Sequence, residues 1–175
     1  MRVETQHSIA SEIQSGSLLN KIKPGEQIDL SRMKKSFIEK TIQINTTPEI
    51  LWQVFTDPLI TRQMGGEYLT DWKVGSSLNW KGTDGNIYTN GVILELEPGK
   101  VFKHNLFNQD EETNILSVLT YKLEDNNGST TLYAREDYNI EMTEKEYEEA
   151  SEGWTFALDV LKETAESFAA QTKGV

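Results

Sequence analysis

Residues 143–168 read Thr-Glu-Lys-Glu-Tyr-Glu-Glu-Ala-Ser-Glu-Gly-Trp-Thr-Phe-Ala-Leu-Asp-Val-Leu-Lys-Glu-Thr-Ala-Glu-Ser-Phe, and this stretch decides the fold. Tyr147, Ala150, Trp154, Ala157, Leu158, Leu161, Ala165 and Phe168 recur at three- and four-residue spacing. That spacing predicts one amphipathic helix of about 22 residues with a single apolar stripe. Thr143 with Glu146 three residues on reads as a capping box at its start. Glu148, Glu149, Glu152, Asp159, Glu163 and Glu166 occupy the opposite, solvated face. A stripe this long needs a wide apolar partner, and the rest of the chain offers only a sheet.

Working backwards, Thr130 to Glu136 and Ile115 to Leu123 read as strands flanking Asp125-Asn126-Asn127-Gly128, a strong hairpin turn. Phe102, His104 and Leu106 alternate with Val101, Lys103 and Asn105. Val92, Leu94 and Leu96 alternate with Ile93 and Glu95, closed by Glu97-Pro98-Gly99. Leu78 and Trp80 alternate with Ser77 and Lys81, before the turn Thr83-Asp84-Gly85-Asn86. Successive hairpins of this kind predict an antiparallel meander. Further upstream, Phe37 to Asn45 alternates as a first strand. Thr47-Pro48-Glu49 then starts a short helix, with a hydroxyl at the N-cap and proline at the first helical position. Ile50, Leu51, Trp52, Val54 and Phe55 nearly surround that helix, so it is expected to be buried. Asp57-Pro58 ends it and opens a second short helical piece through Arg62.

Residues 1–32 differ in texture: they hold no aromatic residue, and Ser8 to Gln14 is their one helical stretch. They are expected to be a flexible arm, leader or expression remnant, with residues 33–175 as the domain. Met33-Lys34-Lys35-Ser36-Phe37 looks like the natural opening of a bacterial protein. Four basic and four acidic side chains cancel in the arm, so the net charge of −11 belongs wholly to the domain. Such a balance argues against phosphate backbones and anionic membranes as partners, so neither nucleic acid nor membrane is expected. The absence of cysteine excludes disulfides, thiolate metal sites and thiol catalysis. No apolar run approaches the ~20 residues of a membrane span. The N-terminus lacks a basic start and apolar stretch, so a cytoplasmic location is expected.

Four motifs, spread over residues 37–170, carry a family resemblance. Thr47-Pro48-Glu49-Ile50-Leu51-Trp52-Gln53-Val54-Phe55-Thr56-Asp57-Pro58 resembles the first-helix signature of the SRPBCC, or START-like, superfamily. Trp72-Lys73-Val74-Gly75-Ser76-Ser77-Leu78-Asn79-Trp80 and Glu97-Pro98-Gly99-Lys100 are similar to turns of its heat-shock protein 90 ATPase activator group, C-terminal domain-like. Gly153-Trp154 resembles that group's Gly-Trp pair in the last helix. The resemblance implies an α+β helix-grip fold. In it, a curved antiparallel sheet of six to seven strands wraps the long C-terminal helix, and two short helices follow the first strand. One helix does not fill the concave side of a bent sheet, and the remainder is the natural place for an apolar pocket.

The expected lining is Trp80, Phe102, His104, Leu106, Tyr121, Trp154, Leu158 and Leu161. His104 shares parity with Phe102 and Leu106, so it faces the concave side either as a ligand anchor or as a core histidine. Arg135 and Glu136 are neighbours on one strand and point to opposite faces; the inward one needs partners. Trp72 is expected in a loop, as an anchor or an exposed contact. Asp110-Glu111-Glu112 reads as a solvated loop. With two histidines in the chain and none paired, neither a metal nor a cofactor is expected. Three functions remain open. A non-enzymatic cup for a small hydrophobic molecule is favoured. A co-chaperone-like interaction protein acting on a chaperone ATPase, and a polyketide cyclase-like enzyme, are the alternatives.

Overall fold

The structure, a computed structural model, describes residues 35–108 and 111–172. The arm expected over residues 1–32, with its short helix, lies outside the described residues. Strand β1 (Lys35–Ile44) leads into helix α1 (Pro48–Thr56), helix α2 (Pro58–Thr61) and one 3-10 turn (Arg62–Met64). Strands β2 (Gly66–Leu69), β3 (Ser77–Gly82), β4 (Ile87–Glu97), β5 (Val101–Asn108), β6 (Glu111–Asp125) and β7 (Thr130–Met142) follow, then helix α3 (Glu144–Thr172). The seven strands form one open antiparallel sheet in the order β1-β7-β6-β5-β4-β3-β2. This is the α+β helix-grip arrangement. Among the described residues no helix is long and apolar enough to cross a membrane.

Local chemistry explains most boundaries. The capping box forms as read: Thr143 N–H donates to Glu146 Oε2 at 2.7 Å, and Glu146 N–H donates to Thr143 Oγ1 at 3.3 Å. Thr47 stands at the N-cap of α1 but its hydroxyl makes no capping bond, and Pro48 alone sets the helix entry. Asp57 caps α2 by accepting from Leu59 N–H at 2.9 Å. Asn127 and Gly128 take positive φ of 55° and 100° in the β6–β7 turn, where short polar residues and glycine are tolerated.

Three sequence expectations change. Strand β2, only four residues long, shows no readable periodicity and was not expected as a strand. In β4 the simple alternation fails: Ile93 is fully buried, Leu94 is 41% exposed, and the register with β5 shifts between Ile93 and Glu95. A bulge adds one residue to one strand, reverses the parity beyond it and bends the sheet. Glu111 and Glu112 open β6 rather than lying in a loop.

Bending also requires close backbone approach. A Cβ placed on Gly91 would stand 1.9 Å from the Asn105 carbonyl oxygen, while Asn105 Oδ1 accepts Val92 N–H at 2.7 Å. Helix α3 buries Leu158, Leu161, Thr164, Ala165 and Ala169. Polar ties pin it to β1 and the loop after it: Lys40 Nζ donates to Ser151 Oγ at 2.8 Å, and Asn45 N–H donates to Glu166 Oε1 at 2.8 Å.

Candidate ligand cavity between sheet and helix

An aromatic cluster fills the base of the grip. Phe102, fully buried, lies 5.8 Å centroid to centroid from Tyr121 in a stacked arrangement and 5.9 Å from Phe55. Trp72 holds a positive φ of 53°, rare for a bulky residue, and its ring packs against Trp52, Tyr68 and Phe102. It is an anchor that pulls the β2–β3 loop onto the core.

Beside this cluster a cavity of about 280 Å³ opens between β2, β3, β6 and α3. Tyr68 and Trp80, edge to face at 4.8 Å, form one wall. Tyr121 and Phe55 form its base, and Trp154, Leu158 and Leu161 its helix side. Met64, Phe156, Ala157 and Val160 surround the mouth. Trp80 takes its position because Gly66, on the adjoining strand, lets the indole lie over its backbone. A side chain there would meet the ring at 2.6 Å.

Of the eight residues expected to line a pocket, Trp80, Tyr121, Trp154, Leu158 and Leu161 surround this one. Phe102 and His104 are buried behind its wall, and half-buried Leu106 packs against the core without reaching it. Sequence reasoning missed Tyr68 and Met64, which sit on a strand and a turn too short for periodicity. Phe55 was expected only as one of the apolar residues of the buried helix α1. Phe156 and Val160 lie off the apolar stripe of α3 and carry no signal in sequence.

The polar groups behind the wall are ordered. Arg135 points outward, with Nη1 donating to Glu39 and Nη2 to Asp137. Glu136 points inward, and its carboxylate accepts from Ser117 Oγ at 2.6 Å, Tyr138 O–H at 2.5 Å and Trp154 Nε1 at 2.7 Å. Three donors satisfy a buried carboxylate that forms no ion pair among the described residues. His104 Nδ1 lies 3.1 Å from the Asn105 carbonyl oxygen. Burial outweighs that bond and the nearby Glu136 charge, and pushes the imidazole pKa down to about 4. Burial raises the phenols of Tyr68 and Tyr121, and the neighbouring Tyr68 and Glu136 charges raise Tyr121 further.

Residues 45–166 match the family model described as Activator of Hsp90 ATPase homolog 1-like protein. No curated protein matches the chain. Among solved structures, ChR145 of Cytophaga hutchinsonii is 26% identical over 78% of this chain and 98% of its own, with a TM-score of 0.63. The Aha1 dimer of Colwellia psychrerythraea is 20% identical over 75% of this chain and 97% of its own, at a TM-score of 0.62. CalU16 of Micromonospora echinospora is 20% identical over 77% and 86%, at 0.58. The last two likenesses, below a quarter identical, bear on the fold alone. With the family model matched from the loop after β1 to near the end of α3, this chain belongs to the Activator of Hsp90 ATPase homolog 1-like family.

Proposed function

We propose that the domain is a non-enzymatic cup that binds a small apolar molecule between sheet and C-terminal helix. The observation that carries this is the cavity of about 280 Å³ walled by Tyr68, Trp80, Tyr121 and Trp154. It lies near the small end of ligand-sized pockets, with aromatic walls and few polar groups, as such sites usually have. The ionisable groups on its wall are two tyrosines whose raised pKa keeps them as O–H donors at neutral pH. Glu136 is engaged by three donors and held behind Trp154. The two phenols, raised above their ordinary value by burial, hold a ligand through their O–H groups rather than exchange protons with it near pH 7.

The test is titration of the full chain with the neutral fluorophore N-phenyl-1-naphthylamine. Saturable one-to-one enhancement, lost when the mouth is closed by Ala157→Trp, is the expected result. Unsaturable binding, or binding indifferent to Ala157→Trp, would defeat the reading.

The family match favours a second reading, a protein that acts on a chaperone ATPase. Its test is the ATPase rate of a bacterial chaperone of the Hsp90 class with and without this chain. An unchanged rate and no complex on gel filtration would remove it.

A further inference from the structure

Phe55, Tyr68, Trp80, Tyr121, Trp154 and Phe156 all line the cavity, and among the described residues no charged side chain does. An aromatic face carries negative quadrupole potential and attracts a cation within about 6 Å of its centroid, which an aliphatic wall does not. In a space of about 280 Å³ a charge on an occupant is near several of these rings at once.

Behind one ring stands a negative charge without a counter-ion. Glu136 does not line the cavity; Trp154, which does, donates its indole N–H to that carboxylate at 2.7 Å. The other two partners, Ser117 and Tyr138, are neutral hydroxyls, and no cation pairs with Glu136 among the described residues. A carboxylate that accepts from the indole N–H shifts electron density onto the ring and deepens its attraction for a cation. The same charge reaches Tyr121 at the cavity base, whose phenol it helps to raise. At the mouth, Glu152 and Asp159 lie one helical turn to either side of Phe156, both exposed and without an ion pair among the described residues. Lys145 and Lys162, the two lysines of α3, are already paired with Glu149 and Glu166.

We infer that the molecule held in this cavity is a small organic cation, an alkylated ammonium on an aromatic or alicyclic body. Its apolar body fills the space, and its charge lies beside the ring of Trp154, the wall residue in contact with Glu136. A quaternary centre suits such a wall, because it has no N–H group that needs an acceptor. An anion meets the same rings and the Glu136 field as repulsion, and the net charge of −11 carries that sign to longer range. The volume is too small for the two chains of a phospholipid, so the cation is one free in solution. The inference rests on the cavity being the binding site, as proposed above, and adds the sign of the ligand's charge.

The test is displacement of N-phenyl-1-naphthylamine from the full chain at pH 7 by three probes of similar shape: phenyltrimethylammonium, its uncharged isostere tert-butylbenzene, and benzenesulfonate. In a purely apolar cup the hydrocarbon wins by about a hundredfold or more, because a charge gives up its hydration on entering. The expected result is that the cation displaces the fluorophore at a concentration within about tenfold of the hydrocarbon's or below it, and that the sulfonate is far weaker. Glu136→Gln should weaken the cation about fivefold relative to the hydrocarbon. Phe156→Leu keeps an apolar cover at an exposed position, where folding is not at stake, and should weaken the cation relative to the hydrocarbon about threefold. Saturable fluorophore binding with the hydrocarbon preferred by more than tenfold would overturn the cation and leave the apolar cup standing. So would preference for the sulfonate, or a cation-to-hydrocarbon ratio that neither variant changes. No saturable binding of the fluorophore or of any probe would overturn both readings together.

Discussion

The carboxylate of Glu136 on β7 accepts the indole N–H of Trp154 on α3 across 2.7 Å, and so joins the sheet to the helix it grips. The same carboxylate serves Ser117 and Tyr138, so one side chain organises β6, β7 and α3. Glu136→Leu should leave three donors unpaired and cost about 3 kcal/mol in urea unfolding, against about 1 kcal/mol for Glu136→Gln. Trp154→Phe combined with Glu136→Leu should cost less than the two changes summed, because both remove one interaction. Strict additivity would mean the indole contact contributes nothing.

Two glycines should respond to alanine with opposite signs. Gly91 lies against the Asn105 carbonyl, and a methyl group there must push β4 from β5. Gly91→Ala should therefore destabilise by roughly 3 kcal/mol, at the upper end of overpacking costs. Gly153 lies within α3 and a Cβ there meets nothing within 4 Å. Gly153→Ala should stabilise by about 0.5–1 kcal/mol through helix propensity alone. Thermal unfolding of the two variants against wild type checks both signs.

How much was legible follows from the range over which each signal repeats. Helix α3 shows itself through eight stripe residues and a capping box, and its inward residues Leu158, Leu161 and Ala165 are buried as expected. The parity of Phe102 and His104 was readable because β5 runs unbroken through them, its register shifting only beyond Leu106. The parity of β4 was not, because a bulge at Leu94 reverses it and no local residue announces the bulge. Tyr68 and Met64 sit on elements of four and three residues, too short for any period to show. Two of the three partners of Glu136, Ser117 and Trp154, come from other elements, so the sequence says only that an inward acid needs donors.

The buried imidazole should make stability depend on pH in a specific window. In the unfolded chain His104 titrates at its ordinary value near 6.5, whereas in the fold burial holds it near 4. Tyr68, Tyr121 and Asn105 face the ring as neutral groups, and Glu136 is the charged one nearby. Between these two values the unfolded chain binds a proton that the folded chain does not. Stability is therefore full above pH 6.5 and falls as the pH drops towards 4. Over that span wild type should lose about 3 kcal/mol more than His104→Phe, whose other groups titrate alike. Parallel pH profiles of the two proteins in urea would show that the ring titrates normally.

Phe156 and Leu158 stand two residues apart on α3, both line the cavity, and differ in exposure: 73% against 2%. Leu158 closes the core as well as the cavity, so Leu158→Ala should cost about 3 kcal/mol of stability, as buried leucine truncations do. Phe156 rests at the mouth with most of its ring in water, and Phe156→Ala should leave stability within about 0.5 kcal/mol of wild type. Its ring nevertheless covers one side of any occupant. Losing an aromatic contact worth about 1 kcal/mol should weaken N-phenyl-1-naphthylamine roughly fivefold, mostly through faster dissociation. Stopped-flow displacement measures that rate directly, and urea unfolding measures the stability in the same samples. A variant that loses stability but keeps its dissociation rate would place Phe156 in the core and move the mouth of the cavity elsewhere.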